Sequence, residues 1–122
     1  MNYTDKKNRL KNKCDHLWFE VLLKDRCEVC GEKAIQVHHF YKKSSYGFLR
    51  YDLDNGISLC KHCHFVLHSQ DPKMIEDNIE KARGKKWREK IRNKSINRPD
   101  NFQTNMKYYE ETEKKFDKIL GK

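Results

Sequence analysis

The chain has 122 residues and a formal net charge of +9, with 36% hydrophobic and 37% charged residues. This length suits one domain, and the low apolar content predicts a small core that a structural metal would help to stabilise. The positive charge favours a polyanionic partner, most simply nucleic acid, and the apolar runs near the N-terminus are far too short for a membrane-spanning protein.

Residues 1–26 are predicted to form a basic amphipathic helix. Apolar residues recur there at steps of three and four, as on one stripe of a helix: Leu10, Cys14, Leu17, Trp18, Val21 and Leu22. Cys14 has no partner at metal-ligand spacing, so we expect it to fill a small apolar slot on this helix. The N-terminus has no apolar run typical of a secretory signal, which favours a cytoplasmic location.

Residues 27–70 combine short β-prone runs with cysteines and histidines. In chain order, the predicted elements are a zinc knuckle at 27–31, strands at 34–40 and 57–59, and a short helix at 61–68. A polar loop joins the two strands and ends in a turn signal at 54–56. In the short helix, His64 and His68 lie one turn apart and therefore share a face.

Residues 71–122 are predicted to be a helical, basic extension. One helix is expected from Asp71, which can cap it ahead of a proline, to about Arg83. A last helix is expected from Asp100 to about Leu120, and its apolar stripe suits packing on the first helix or a dimer contact, so monomer and homodimer both remain open. Between these helices, a basic tract holds the candidate nucleic-acid-binding residues Lys85, Lys86, Arg88, Lys90 and Arg92. This tract suits either DNA contact or a solvated helix face, and we favour DNA contact.

Two Cys-x-x-Cys pairs provide the strongest metal signal in the chain: Cys27, Cys30, Cys60 and Cys63. Four thiolates at paired spacing can close a tetrahedral zinc site, and in a reducing cytosol this spacing favours metal ligands over disulfides. Such a site has no open coordination position, so the predicted zinc stabilises the fold without taking part in chemistry. A redox role is disfavoured because no βαβ pattern surrounds the first pair.

The same segment holds four histidines that a four-cysteine zinc site does not require: His38, His39, His64 and His68. Adjacent residues on a strand point to opposite faces, so one of His38 and His39 can bind a metal while the other serves a different task. Histidine titrates near neutral pH and is a natural general base for activating water. These residues predict a second, catalytic centre beside the zinc.

The order of His38, His39, Asn55 and His64 resembles the motif of the HNH nucleases, which have the ββα-metal fold. The four-cysteine frame is similar to that of the zinc-stapled subgroup of this family. Similarity to small phage HNH proteins of the NinG recombination type extends to two further runs, 13–18 and 49–56. The resemblance implies a small α+β fold, with a ββα-metal core flanked by N- and C-terminal helices, and the host cytoplasm as the location of a phage protein.

The resemblance also implies a role for each matching residue. His39 would be the general base that deprotonates water, and Asn55 would brace the loop between the strands and orient the His39 ring. His38, His64 and His68 would hold one catalytic divalent ion. Many members have aspartate where His38 stands, and imidazole ligands suit Zn²⁺ or Ni²⁺ better than Mg²⁺. We expect Mg²⁺ or Mn²⁺ to be the ion used in the cell, and the imidazole ligands also allow Zn²⁺ or Ni²⁺ to occupy the site.

These assignments predict a metal-dependent DNA endonuclease that hydrolyses phosphodiester bonds, with phage recombination or structure-specific cleavage among its expected roles. Arg50, just ahead of the second strand, is expected to hold a phosphate oxygen, although a surface arginine fits the sequence nearly as well. The alternative is a non-catalytic, zinc-stabilised nucleic-acid-binding module in which the histidines only support the fold. A third function is an adaptor that binds proteins through the last helix. DNA and RNA remain open as substrates, as does the nucleic-acid structure that is cut.

Overall fold

The computed structural model describes all 122 residues and has the predicted α+β class, with five α-helices and one two-stranded sheet. In chain order, the elements are α1 (Tyr3–Leu22), β1 (Gln36–His39), β2 (Gly56–Leu59), α2 (Lys61–Ser69), α3 (Pro72–Arg83), α4 (Lys85–Ile96) and α5 (Met106–Leu120). None of the helices combines the length and the apolar content needed to cross a bilayer.

The chain divides into two compact units. The first consists of Met1–Val21 and Pro99–Lys122, and the second is Leu22–Arg98. The cysteines, the histidines and the basic tract all lie in the second unit. The division at residues 26 and 70 that the sequence predicts stays a prediction.

In the first unit, the packing of α1 places Cys14 in the interior. Cys14 is fully buried, and its thiol donates a hydrogen bond to the carbonyl oxygen of Tyr109 at 3.2 Å. This burial raises the pKa of the Cys14 thiol to about 12, so the group stays neutral and behaves as a small hydrophobe. The expected apolar slot is therefore confirmed.

The start of α5 differs from the sequence-based expectation. The helix begins at Met106, and the predicted start at Asp100 is wrong. The side chain of Asn105 accepts a hydrogen bond from the backbone N–H of Tyr108 at 2.9 Å and so caps the helix at this point. Asn101 has a positive φ of 57°, which is incompatible with a helix that runs through it.

The two strands of the second unit form an antiparallel hairpin with a long connection. His38 lies opposite Ile57, and His39 lies opposite Gly56. Beyond the strands, the backbone N–H of Phe40 donates to the carbonyl oxygen of Asn55 at 2.9 Å, which extends the pairing by one step. The connection between the strands contains two short 3₁₀ helices, Gly47–Leu49 and Leu53–Asn55. This pairing brings both ends of the connection to the same end of the sheet.

The core of the second unit forms where β2 meets α2 and α3. All four residues of β2 are buried, and apolar side chains from the three elements pack together: Ile57, Leu59, Val66, Leu67, Ile75 and Ile79. The predicted start of α3 is confirmed, because Asp71 caps the helix by accepting from the N–H of Met74 at 3.0 Å. Gly84, with φ of 98°, ends α3 and begins α4.

A partly buried ion pair ties the first cysteine pair to this core. The carboxylate of Glu28 accepts two hydrogen bonds from Arg83, at 2.7 and 2.9 Å, and one from the backbone N–H of Ser58 at 2.8 Å. Arg83 also donates to the carbonyl oxygens of Asp54 and Gly56. The Arg83 guanidinium holds the pKa of Glu28 below its ordinary value, against the effect of burial. The knuckle, β2 and α3 are therefore joined through this one hydrogen-bonded pair.

Candidate functional site

The four cysteines converge into a cluster that fits a tetrahedral zinc ion. All four Sγ atoms lie within 4.8 Å of one another, and those of Cys30 and Cys60 are 3.5 Å apart. A zinc–sulfur bond of about 2.3 Å requires sulfur atoms about 3.8 Å apart at the corners of a tetrahedron. Cys60 is also the N-cap of α2, where its Sγ accepts from the N–H of Cys63 at 3.3 Å. The donor type, the number of ligands and the spacing thus agree with a structural zinc site.

The thiols of this cluster differ in acidity before a metal binds. Burial alone would raise the pKa of Cys27, but backbone N–H groups, including those of Cys30 and Cys60, lower it to about 7. The pKa of Cys63 is raised, chiefly by burial and then by its thiol neighbours. Metal binding must displace the protons of the less acidic thiols, so zinc affinity is coupled to protonation.

Three histidines form a second cluster at the junction of β1 and α2. The ring nitrogens of His38, His64 and His68 all lie within 4.8 Å of one another. The Nε2 atoms of His64 and His68 are 3.1 Å apart, as expected for residues one turn apart on α2. The His38 ring, from β1, lies with its centroid 5.3 Å from the centroid of His68 and 6.2 Å from that of His64. Three imidazole nitrogens in this arrangement can bind one divalent ion and leave positions open for other ligands.

The electrostatics of this cluster keep its innermost ring neutral. Burial, followed by the neighbouring His68 and His64, lowers the pKa of His38 to about 3. The pKa of His64 is also lowered, by burial and by His68. A neutral imidazole offers the lone pair that a metal requires, so these rings are in the protonation state of a ligand at neutral pH.

His39 makes a different contact from that of its neighbour on β1. Its Nε2 atom lies 2.9 Å from the carbonyl oxygen of Arg50. A carbonyl oxygen can only accept, so Nε2 must carry the proton, and the Nδ1 atom keeps its lone pair. The geometry of His39 is therefore that of a neutral imidazole with one nitrogen held and the other able to accept a proton.

Asn55 is fully buried and ties together the two ends of the connection between the strands. Its Oδ1 accepts from the N–H of Tyr41 at 2.7 Å, and its Nδ2 donates to the carbonyl oxygens of Tyr41 and Leu49, each at 3.1 Å. Leu49 immediately precedes Arg50, whose carbonyl oxygen contacts His39. Asn55 can thus influence the His39 ring through the backbone of the connection.

The two histidine arrangements share one cavity. This cavity has a volume of about 360 Å³, and its lining includes all four histidines together with Lys42, Lys43 and Ser44. Sequence reasoning did not identify Lys42 and Lys43 as site residues. Their signal was their position three and four residues after the end of β1, in a connection that must fold back toward Asn55. They add positive charge to the rim of the histidine cavity.

Comparison with known families identifies this part of the chain. Residues 27–70 match the family model described as HNH endonuclease, from the first cysteine of the cluster to the end of α2. The segment is an HNH domain. No curated protein and no solved structure matches the chain significantly. The further similarity to phage proteins of the NinG type thus stays a prediction.

The basic tract lies on α4, directly after the HNH domain and α3, and the structure distributes its residues over two faces. Lys85, Arg88 and Arg92 line a cavity of about 440 Å³ together with two glutamates. Lys90 lies elsewhere on the helix and pairs with the carboxylate of Asp54 at 3.1 Å. Lys86 is exposed. The first three cations are therefore grouped in a way that the sequence alone did not specify.

Two of the predicted phosphate-binding arginines make contacts with aromatic rings. The guanidinium of Arg88 donates to the hydroxyl of Tyr41 at 2.8 Å and lies 5.1 Å from the ring centroid of Phe40. The guanidinium of Arg50 lies 5.9 Å from the ring centroid of Tyr51. The contact of Arg50 with His39 is made by its backbone and not by its side chain. A phosphate contact of the Arg50 side chain stays a prediction.

Proposed function

We propose that this protein is a metal-dependent endonuclease that hydrolyses phosphodiester bonds in DNA. One observation carries the proposal: a cluster of three imidazole nitrogens shares a cavity with His39, whose ring is held by a carbonyl oxygen and keeps a basic nitrogen. A metal site and a positioned general base are the two parts that phosphodiester hydrolysis at neutral pH requires. The HNH match of residues 27–70 supports nuclease chemistry.

His38, His64 and His68 would hold the catalytic ion, and Mg²⁺ or Mn²⁺ is proposed for the cell, with Zn²⁺ or Ni²⁺ also able to bind. When bound, such an ion stabilises the negative charge that develops on the scissile phosphate and the leaving oxygen. The all-nitrogen ligand set favours the later transition metals over Mg²⁺ when both are supplied at equal concentration. The four-cysteine cluster would bind a separate zinc ion with only a structural role.

The chain's own residues carry the proton transfer and the positioning. His39 Nδ1 takes a proton from the attacking water, whose oxygen bonds to phosphorus as the bond to the 3′ oxygen breaks. The leaving oxygen then takes a proton from solvent. The imidazolium that forms keeps its Nε2–H bond to the Arg50 carbonyl, and this bond strengthens as the ring becomes charged. Lys42 and Lys43 add positive charge at the same cavity, where the Arg50 side chain is proposed to hold a phosphate oxygen.

Cleavage of supercoiled plasmid tests this proposal. Purified, zinc-loaded protein is incubated with plasmid and with Mg²⁺, Mn²⁺ or Ni²⁺, and nicking is followed over time. His39→Ala is expected to lower the rate by about 10²–10⁴-fold, the usual contribution of a general base, while DNA binding is retained. His62→Ala is the matched control, because His62 is an exposed histidine on α2 outside the cluster.

Two outcomes would contradict the proposal. Nicking at the same rate by His39→Ala and wild type would remove His39 from the reaction. DNA binding without cleavage under any of the three ions would instead favour the non-catalytic, zinc-stabilised binding module. A phage origin, a cytoplasmic location and a role in recombination are not part of this test and remain predictions.

A further inference from the structure

A row of aromatic side chains lies beside the histidine cavity, in the connection between β1 and β2. We define the aromatic row by its four residues, Phe40, Tyr41, Tyr46 and Phe48. Neighbouring ring centroids are 5.4, 4.9 and 6.2 Å apart along this order. All four residues are only partly buried. Phe40 also packs against Trp87 and the core of the second unit, and the other rings of the row remain partly open to solvent.

Two residues of the aromatic row, Tyr41 and Tyr46, are held in place by hydrogen bonds. Asn55 bonds both the N–H and the carbonyl oxygen of Tyr41, and Arg88 donates to the Tyr41 hydroxyl. The backbone N–H of Tyr46 donates to the carbonyl oxygen of Lys42 at 2.8 Å, which closes the turn that brings Tyr46 next to Tyr41. A surface fixed in this way loses little conformational entropy when a ligand binds to it.

Cations adjoin the aromatic row and contact it. Lys42 and Lys43 directly follow Tyr41 and line the histidine cavity. From α4, Arg88 contacts Tyr41 and lines a second cavity with Lys85 and Arg92. A polyanion bound at the aromatic row can therefore meet cations from both cavities. This arrangement favours nucleic acid over an apolar peptide, which would gain nothing from the flanking cations.

We propose that the aromatic row stacks unpaired bases next to the bond that is cut, so that the preferred substrate carries unpaired nucleotides at the cleavage site. In a duplex, the faces of each base are covered by its neighbours, so only unpaired bases can stack on a protein ring. Every base has such a face, so the subsite would be tolerant of sequence. The position of the cut relative to the row rests on the proposed nuclease function, whereas the stacking itself does not.

Binding measurements with Tyr46 variants test this subsite. Wild type and variants are prepared in the His39→Ala background, zinc-loaded and without chelator, so that binding is read without cleavage. Their affinities for a fluorescent single strand of about 12 nucleotides and for the duplex of the same length are measured by anisotropy. Tyr46→Leu removes the aromatic face, Tyr46→Phe retains it, and Tyr3→Leu makes the same change at an exposed tyrosine of α1.

Tyr46→Leu is expected to weaken single-strand binding by about 5- to 150-fold, the usual loss per stacked base, with less than about a twofold change for the duplex. Tyr46→Phe and Tyr3→Leu are expected to bind both nucleic acids as the parent protein does. Equal losses on single strand and duplex, or no loss on the single strand, would overturn the proposal. Thermal unfolding of each variant shows whether it is folded, and a Tyr46→Leu variant that fails to fold is replaced by Tyr46→Ile with the same criteria.

The outcomes separate this proposal from the nuclease function. Selective loss of single-strand binding in Tyr46→Leu, together with an absence of cleavage by wild type, would retain the stacking subsite and remove the nuclease. Metal-dependent cleavage by wild type, with unchanged single-strand binding in Tyr46→Leu, would retain the nuclease and remove the stacking subsite.

Discussion

Replacement of Asn55 by alanine is expected to destabilise the protein strongly. The Asn55 side chain is fully buried and makes three hydrogen bonds to the backbone of Tyr41 and Leu49. Asn55→Ala leaves one partly buried N–H and two carbonyl oxygens without this partner. A lost hydrogen bond costs about 1 kcal/mol, and a buried group left unsatisfied costs about 1–3 kcal/mol. The full sum of these costs is an upper limit, because water can reach part of the vacated site. We therefore expect the free energy of unfolding to fall by about 3–5 kcal/mol.

Urea unfolding at a fixed zinc concentration measures this loss, since bound metal contributes to the apparent stability of wild type and variant alike. Asn93→Ala is the matched control, because Asn93 is exposed on α4 and its side chain makes no such contacts. The control is expected to change the free energy of unfolding by less than about 0.5 kcal/mol. A loss below about 1 kcal/mol for Asn55→Ala would refute the view that Asn55 holds the connection between the strands.

Three further perturbations test other parts of the fold. Glu28→Gln is expected to lower the free energy of unfolding by about 3 kcal/mol in urea, because it leaves the partly buried guanidinium of Arg83 without its carboxylate. A loss under about 1 kcal/mol would contradict this. Removal of zinc by a chelator is expected to abolish the cooperative thermal transition of the second unit, and added Zn²⁺ is expected to restore it. The same loss and restoration in His38→Ala checks that the cysteine cluster, and not the histidine cluster, is responsible. Lys94 and Lys90 hold the pKa of Asp54 below its ordinary value despite partial burial. The ion pairs therefore stabilise the fold fully above the unfolded pKa near 3.8, and this stabilisation is lost as the pH falls through the folded pKa. Asp54→Asn should consequently show less loss of stability on acidification than wild type, and an identical acid limb in urea titrations would argue against the ion pairs.

Local signals in the sequence were sufficient to predict one helix start, the cysteine cluster and the shared face of two histidines. Asp71 followed by proline predicts the start of α3, because a capping carboxylate and a residue without an N–H act within one helical turn. The four cysteines predict their own convergence, since paired spacing presents two thiolates from each knuckle. The one-turn spacing of His64 and His68 likewise places both rings on one face of α2.

Contacts between distant residues were not predictable in the same way. The pairing of Glu28 with Arg83 joins a knuckle to a helix, and no periodicity marks such partners. The position of Arg50 ahead of the second strand pointed to its side chain, whereas His39 contacts its carbonyl oxygen. No sequence signal marks that contact, because every residue has a carbonyl oxygen. The start of α5 was misplaced because Asp100 and Asn105 are both good caps. Only the positive φ of Asn101 excludes the earlier one.

The central claim is that His39 acts as the general base beside a metal held by three histidines. Single-turnover cleavage with protein in excess over DNA tests it most directly, because the rate then reports chemistry and not DNA binding. His39→Ala is expected to cleave about 10²–10⁴-fold more slowly than wild type, and added imidazole is expected to restore part of the rate by supplying an external base. His38→Ala, which removes a proposed metal ligand, should not be rescued in this way. Cleavage by His39→Ala at the wild-type rate would contradict the account.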